Sequence, residues 1–274
     1  MSATERVYNL IGMDSVKNEV EGWNVLSKCS HPSKQTVSQN YLIPLASGAG
    51  RTTITREITG VLKELRLFSF ASAVPFLEVK PESRQGQVKR IFEQIRSEAI
   101  ITNEFKGLVA VDLSAYYDNY YTAEFNEFLD QTRYNDNNIL FVFFTQRLSD
   151  EKTTELLSRL QTIGNIKLLP TDEFSDKDLL TFALRRLEKK DIAIEEAAVE
   201  ELQKAIKTVR KTQGFAYFKS IDKLIADIQY SIGKSQDTDF YIGGVVSKND
   251  LCGYLSNDLK QYTVSETGTR KLGF

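Results

Sequence analysis

The sequence predicts an α/β protein in which a parallel sheet is flanked by helices and is followed by a small helical domain. Short, continuously apolar runs alternate with longer segments whose apolar residues recur at helical spacings. This alternation is expected when helices cover both faces of a parallel sheet. After Pro170 the apolar runs give way to consecutive helical segments, which indicates a second domain.

The sheet is predicted from five apolar runs, the last of them weaker than the others: Tyr41–Leu45, Val74–Val79, Leu108–Leu113, Ile139–Thr145 and Ile166–Leu169. Apolar residues at helical spacings predict four intervening helices: Thr53–Leu65, Gln87–Ile101, Ala123–Arg133 and Thr153–Leu160. An α/β domain is therefore expected over residues 1–170.

Three helical segments follow, at residues 174–190, 194–211 and 216–233. Ser175, followed by Asp176 and Asp178, has the composition of a helix N-terminus. We therefore predict a helical domain over 171–232 and a C-terminal extension over 233–274. Within these two regions the pattern predicts a linker, a short strand, a final short helix and a mobile end: Ser231–Asp239, Phe240–Val246, Ser247–Leu255 and Val264–Phe274.

Composition excludes several classes of protein. The chain has 274 residues, 41% of them hydrophobic and 26% charged, as is usual for a folded globular protein. A net charge of −2 argues against a dedicated nucleic-acid binder. The sequence contains no apolar run long enough to span a bilayer and no leader pattern, so a cytoplasmic location is predicted.

Cysteine and histidine are too scarce for most metal or nucleophilic sites. Cys29 and Cys252 are far apart in sequence, which argues against a disulfide framework or a zinc site. His31 is the one histidine and lies in a polar, loop-like stretch. A Ser-His-Asp hydrolase or a multi-histidine centre would have to be built around this residue alone.

The strongest local motif joins the first predicted strand to the next helix through a glycine loop. Residues 45–52 follow the phosphate-loop frame G-x-x-x-x-G-K-[ST], with Leu45 in place of the first glycine and Arg51 in place of the lysine. The predicted phosphate-binding residues are Gly48, Ala49, Gly50, Arg51, Thr52 and Thr53, with Thr52 as a magnesium ligand. The alternative interpretation is a glycine-rich turn without a ligand.

A second motif ends the third predicted strand. Asp112 follows an apolar run, where ATPases of this layout carry a magnesium-supporting aspartate, and Leu113 stands where the catalytic glutamate is expected. A leucine cannot orient water or transfer a proton. Two interpretations of Asp112 stay open: a magnesium residue, or a strand-end residue that faces water or caps a turn.

The order and spacing of these segments resemble the AAA+ ATPases, in particular the CbxX/CfxQ and sporulation protein K-like branch. LIGMDSVKNEV from Leu10, the loop Leu45–Thr53, VDLSAY from Val111 and LLSRL from Leu156 are each similar to a family segment. The resemblance implies a P-loop NTPase-type sheet with a helical lid. It also implies that Ile11 and Gly12 border the adenine of ATP or ADP.

The resemblance assigns three further positions. Arg159 corresponds to an arginine finger that reaches a neighbouring subunit, although a solvated helix-end arginine is the alternative. Thr145 or Gln146 corresponds to the first sensor. Tyr217 stands where the second-sensor arginine belongs, with Lys219 near it.

Departures from the family pattern fall on catalytic positions: Leu45, Arg51, Leu113 and Tyr217. The first hypothesis is therefore a pseudo-ATPase subunit that acts beside an active AAA+ partner or in a homo-oligomer, with ATP or ADP and magnesium bound weakly or not at all. An active remodelling ATPase and a clamp-loader-like subunit of DNA metabolism are the alternatives. Neither a nucleic acid nor a membrane is expected as its partner.

Two further stretches bear on partners. Residues 80–86 follow the second strand, where AAA+ translocases carry a pore-loop aromatic residue, and contain none. Four tyrosines at 116, 117, 120 and 121 lead into the helix with Phe125 and Phe128. Either a partner surface or a packing role fits these tyrosines.

Overall fold

The computed structural model describes residues 1–29, 37, 39–68, 70, 76–80, 107–116, 120–133, 139–235 and 244–257. The chain forms two compact units, Met1–Asp172 and Glu173–Phe274. The predicted helix 87–101, His31, Tyr117, residues 81–86 of the pore-loop stretch and the predicted mobile end 264–274 lie outside the described residues.

The first unit contains a five-stranded parallel sheet, which confirms the predicted fold class. Its strands are β1 (Asn40–Pro44), β2 (Phe76–Val79), β3 (Gly107–Asp112), β4 (Ile139–Thr145) and β5 (Ile166–Leu168). The strand order is β2-β3-β4-β1-β5, and all pairs are parallel. The chain therefore leaves β1 for the far edge of the sheet, which makes the carboxyl end of β1 a topological switch point.

The described residues of this unit form five helices beside the sheet: α1 (Ala3–Tyr8), α2 (Asp14–Cys29), α3 (Arg51–Glu64), α4 (Ala123–Arg133) and α5 (Asp150–Leu160). Single 3-10 turns lie at Ser114–Tyr116 and Gln161–Ile163. The bounds of α4 agree with the prediction, and α5 begins earlier because Ser149 caps it through the Lys152 backbone N–H. The first two helices were not predicted, although Ser2 and Glu5 form a capping box.

One face of this sheet packs against α4 and α5. Phe125, Phe128, Phe141 and Phe143 lie in one buried cluster with Val109 and Leu156. Tyr116 and Tyr120 belong to the same cluster, and both rings pack against Phe125. The predicted partner surface is therefore wrong for Tyr116 and Tyr120, because both side chains are buried. Tyr121, in contrast, is 63% exposed.

The second unit consists mainly of helices: α6 (Asp176–Glu188), α7 (Glu196–Arg210), α8 (Tyr217–Ser235) and α9 (Lys248–Asn257). Two short strands, β6 (Ala193–Ile194) and β7 (Val245–Val246), pair in parallel. Ser175 caps α6 in a capping box with Asp178, as its position predicted. Helix α9 packs against α7 and α8, and it buries Leu251 and Tyr254.

One predicted boundary in this unit is wrong. The predicted helical segment ends at residue 233 and the predicted linker begins at Ser231, but α8 continues through Ser235. Ile228 and Ile232 extend the four-residue apolar spacing of α8, and this periodicity outweighs the glycine at position 233.

Helix α1 is fastened to α3, the helix that follows the glycine loop. The Ala3 N–H donates to Glu64 Oε2 at 2.7 Å, and Arg6 Nε pairs with the buried Glu57 at 2.7 Å. The two helices touch at Gly60, where an added Cβ would lie 2.9 Å from the Ala3 Cβ. The close approach of α1 to α3 therefore depends on the missing side chain at position 60.

We predict that Gly60→Ala lowers the stability of the protein by about 1 kcal/mol, because overpacking costs about 1–3 kcal/mol and alanine recovers up to about 1 kcal/mol of helix propensity. Gly22→Ala is the matched control, since Gly22 lies in α2 with nothing near its Cβ position. That variant should gain up to about 1 kcal/mol. Thermal unfolding followed by circular dichroism measures both changes, and an equal gain in both variants would contradict the tight contact.

Candidate functional site

The glycine loop connects β1 to α3 with the backbone shape that a phosphate loop needs. Gly48 and Gly50 adopt left-handed conformations, with φ of 80° and 97°. Gly50 is the N-cap of α3 and makes no side-chain cap hydrogen bond. The first-turn N–H groups of α3 therefore have no capping side chain, and such groups bind anions at helix N-termini.

Arg51, the first residue of α3, folds back over this loop. Its Nε donates to the Leu45 carbonyl oxygen at 2.6 Å, so the side chain links the two ends of the loop. Its Nη2 donates to Ser114 Oγ at 3.1 Å, and its guanidinium carbon lies 5.8 Å from the centre of the Phe144 ring. The side chain is only 11% exposed, so this cation is largely removed from water.

The counter-ion of Arg51 is Asp112, at the carboxyl end of β3. Arg51 Nη1 lies 2.6 Å from Asp112 Oδ1, so the two side chains form an ion pair. The same Oδ1 accepts the Ser114 backbone N–H at 3.0 Å. The structure thus brings together the two charged residues that the sequence had singled out separately.

The environment shifts both pKa values. Burial lowers the pKa of Arg51, and the neighbouring Asp112 opposes this shift. Burial alone would raise the pKa of Asp112, but the hydrogen bonds from Ser114 and the charge of Arg51 together hold that pKa below its ordinary value. The lowered pKa keeps Asp112 ionised at neutral pH, and a guanidinium keeps its proton in proteins, so the two opposite charges stabilise each other.

Leu113, which replaces the expected catalytic glutamate, belongs to the hydrophobic core. Its side chain is fully buried in the cluster around Phe125, and its N–H donates to the Phe144 carbonyl at 2.7 Å. Position 113 is therefore a packing position in this chain, and a carboxylate there would be buried among apolar side chains.

Thr145 ends β4, directly opposite Pro44 of β1 in the register. It is fully buried, and its hydroxyl finds no hydrogen-bond partner among the described residues. The neighbouring Gln146 is half-buried. The predicted sensor residue thus lies next to β1, the strand that leads into the glycine loop. Its hydroxyl oxygen has no hydrogen-bond partner among the described residues.

The remaining residues that were predicted to bind the nucleotide make fewer contacts. Thr52 and Thr53 are exposed on the first turn of α3, and Ala49 is buried in the loop. Ile11 and Gly12 are half-buried before α2, with Gly12 in a left-handed conformation. In the described part of the chain, no hydrogen bond joins these two residues to the loop.

Arg159, the predicted finger, makes internal contacts. Its Nη2 donates to the Tyr120 carbonyl at 3.2 Å and to the Asn126 side chain, and its guanidinium carbon lies 5.0 Å from the centre of the Tyr121 ring. Arg159 is thus half-buried on the first unit. In the second unit, Tyr217 packs against the rings of Phe174 and Phe215.

Ser114 and Phe144 contact the guanidinium but were not predicted. Ser114 follows Asp112 by two residues, a spacing typical of a local turn in which a carboxylate accepts a backbone N–H. That spacing could have predicted the contact between Ser114 and Asp112. Phe144 has no comparable local signal, because its place beside Arg51 follows from the pairing of β3 with β4.

Magnesium does not fit this arrangement of side chains. Asp112, the expected metal-supporting carboxylate, is already neutralised by a guanidinium 2.6 Å away, which would repel a dication. The loop backbone, in contrast, remains suited to a phosphate anion.

Comparison with solved structures identifies the fold. The Thermotoga maritima RuvB Holliday junction branch migration motor matches with a TM-score of 0.57 and 15% identity, covering 90% of this chain and 69% of that chain. A point mutant of the same protein gives a TM-score of 0.59 at 15% identity, with 91% and 71% covered. The chain has the AAA+ P-loop NTPase fold, with a helical C-terminal region.

The sequence comparisons give no closer assignment. No protein-family model matches the chain, and no curated protein matches it. No helix in the described ranges combines the length and the apolar character needed to cross a membrane. Likeness at 15% identity establishes the fold alone, so the site has to be argued from its own geometry.

We predict that Asp112→Asn lowers the free energy of unfolding at pH 7, because it leaves Arg51 largely buried without its counter-ion. The folded-state pKa of Asp112 is lowered, so its contribution is complete above the ordinary pKa, about 3.9, and is lost as pH falls through the folded value. The difference between wild type and variant should therefore stay constant from pH 7 to 5 and shrink below about pH 4. Urea unfolding at each pH measures it, and a difference unchanged at pH 3 would contradict the pair.

Proposed function

We propose that this chain is a catalytically degenerate AAA+ subunit that acts as a binding or structural component of an oligomeric assembly. The observation that carries the proposal is the ion pair between Arg51 and Asp112. In a working phosphate loop, the cation after the last glycine serves the outer phosphates, while the strand-end aspartate supports the metal. Here the two charges neutralise each other instead.

A second observation concerns the attacking water. Its orientation requires a carboxylate next to Asp112, whereas Leu113 is fully buried in the core. An active ATPase would have to take this carboxylate from elsewhere in the chain. Of the described residues, none places a carboxylate in hydrogen-bond contact with the loop 45–50. Efficient turnover is therefore not supported at this site.

The proposed role in an assembly is supported by the surface around Arg159. Tyr121 is exposed and lies against the Arg159 guanidinium, so an aromatic ring and a cation share one part of the surface. Exposed tyrosine and arginine are enriched at protein interfaces. We propose that this part of the surface contacts a neighbouring subunit, either an active AAA+ protein or a second copy of this chain.

We predict that the purified chain, incubated with ATP and magnesium, releases phosphate no faster than its Asp112→Ala variant. The physical reason is that neither a free metal-supporting carboxylate nor a water-orienting group is in place. A coupled phosphate-release assay measures the rate, and isothermal titration with magnesium-ATP should show weak binding or none. Turnover by the wild type that disappears in Asp112→Ala would sink the pseudo-ATPase and favour the remodelling ATPase.

We predict that Arg159→Ala reduces recovery of the partner subunit in affinity purification from cells, with co-purifying ATPases identified by mass spectrometry. Arg56→Ala is the matched control, because it removes an exposed arginine from α3. The expected reduction is about tenfold, the usual effect of losing an interface arginine worth more than 1 kcal/mol. Unfolding temperatures of both variants exclude a general loss of structure, and equal recovery with both would remove Arg159 from the interface.

A further inference from the structure

We propose that the outer face of α2 is a docking surface for a second copy of this chain, and that the two α2 helices lie antiparallel about a two-fold axis. This surface, the α2 stripe, is formed by Asn18, Gly22, Val25 and Leu26, which are all exposed. The proposal goes beyond the role assigned to Arg159, since it involves a different helix and requires no nucleotide.

The second half of α2 exposes aliphatic side chains to solvent. Val25 is 57% exposed and Leu26 is 41% exposed, and the two are consecutive residues of one helix. Another face of the same helix already supplies Val16, Val20 and Trp23 to the core. A helix that buries one apolar face and exposes large apolar side chains on another is expected to have a second contact surface.

Gly22 lies in the middle of the α2 stripe, and the space at its Cβ position is open. Glycine in the interior of a helix is less favourable than alanine, and no contact among the described residues explains it at this position. Gly60 differs, because Ala3 occupies the space where a side chain would be. A missing side chain on an exposed face allows a second helix to approach closely.

The spacing of the α2 stripe fits a helix as the partner. Asn18, Gly22 and Val25 are separated by four and then three residues, which is the spacing at which two helices pack along a shared seam. Leu26 extends the apolar surface on one flank of this seam. Helix α2 has 16 residues, so its length of about 24 Å is sufficient for a helix pair.

The charges beside the α2 stripe favour an antiparallel second copy. Glu21 and Lys28 lie on the flank opposite Leu26, and both are exposed. Among the described residues, the ion pairs of α2 use other side chains. In an antiparallel pair the same flanks meet, so Glu21 of each copy lies beside Lys28 of the other copy. In a parallel pair Glu21 would meet the flank that carries Leu26, and both ion pairs would be lost.

A two-fold axis between Gly22 and Val25 completes the arrangement. It places Val25 of each copy opposite Gly22 of the other, so the larger side chain fills the open space beside the glycine. The contact is closed because both copies use the same surface. One helix pair buries less than about 1,200 Å², the size of weak interfaces, so we expect a dissociation constant of about 100 µM.

The test is sedimentation equilibrium of the full chain at concentrations on both sides of about 100 µM. A reducing agent prevents disulfides through the exposed Cys252. Wild type should dimerise reversibly. Glu21→Lys should weaken the dimer about tenfold, because like charges replace both ion pairs, and Lys28→Glu should do the same. The double variant with both changes should regain the wild-type dissociation constant, since the two charges have exchanged places.

Two further variants separate the α2 stripe from general effects. Val25→Asp places a carboxylate opposite Gly22 of the second copy and should prevent dimerisation, whereas in the monomer this side chain is largely in water. Glu188→Lys makes the same charge change as Glu21→Lys at an exposed position of α6, so it is the matched control and should leave the dissociation constant unchanged. Circular dichroism checks that each variant is folded.

A wild-type chain that stays monomeric at every concentration would overturn the second copy as the occupant of this surface. A dimer that tolerates Val25→Asp would also overturn the inference, because it would form elsewhere on the chain. If the double variant fails to recover, the antiparallel arrangement is excluded and the proposal with it. The phosphate-release assay tests the inactive site separately, so each of these outcomes leaves the proposed function standing.

Discussion

The organisation of the loop depends on a buried guanidinium that must have a negative partner. Arg51 is largely removed from water, and a cation in that position is stable only beside a counter-charge and hydrogen-bond acceptors. Asp112 and Ser114, at the end of β3, and the Leu45 carbonyl, at the start of the loop, meet this requirement. The contact ties the start of the loop, the start of α3 and the end of β3 into one structural element.

This constraint connects the two sides of α3. Its first residue is fixed to the sheet by Asp112, and its outer face is fixed to α1 by Glu57, Glu64 and the close approach at Gly60. The first residue of α3 thus contacts the sheet, and the outer face of the helix contacts α1 through an ion pair, a hydrogen bond and close packing.

Sequence patterns predicted the fold well and the site only in part. The continuously apolar run of β4 and the helical spacing of α4 are local signals, so their bounds were predictable. Strand pairing across the sheet determines which side chains contact Arg51. No local sequence pattern shows this pairing, so these contacts could not be predicted. Tyr116 and Tyr121 show the same limit, because one packs against Phe125 and the other is exposed although both come from one tyrosine-rich stretch.

The attachment of α1 has a practical consequence for how the protein is produced. The Met1 carbonyl accepts a hydrogen bond from Arg6, and Ser2 begins the capping box of α1, so the backbone is engaged from its first residue. A purification tag fused ahead of Met1 would extend the backbone at these contacts, and they belong to the helix that packs against α3. Ligand titrations are therefore better made on protein from which a tag at this end has been cleaved away.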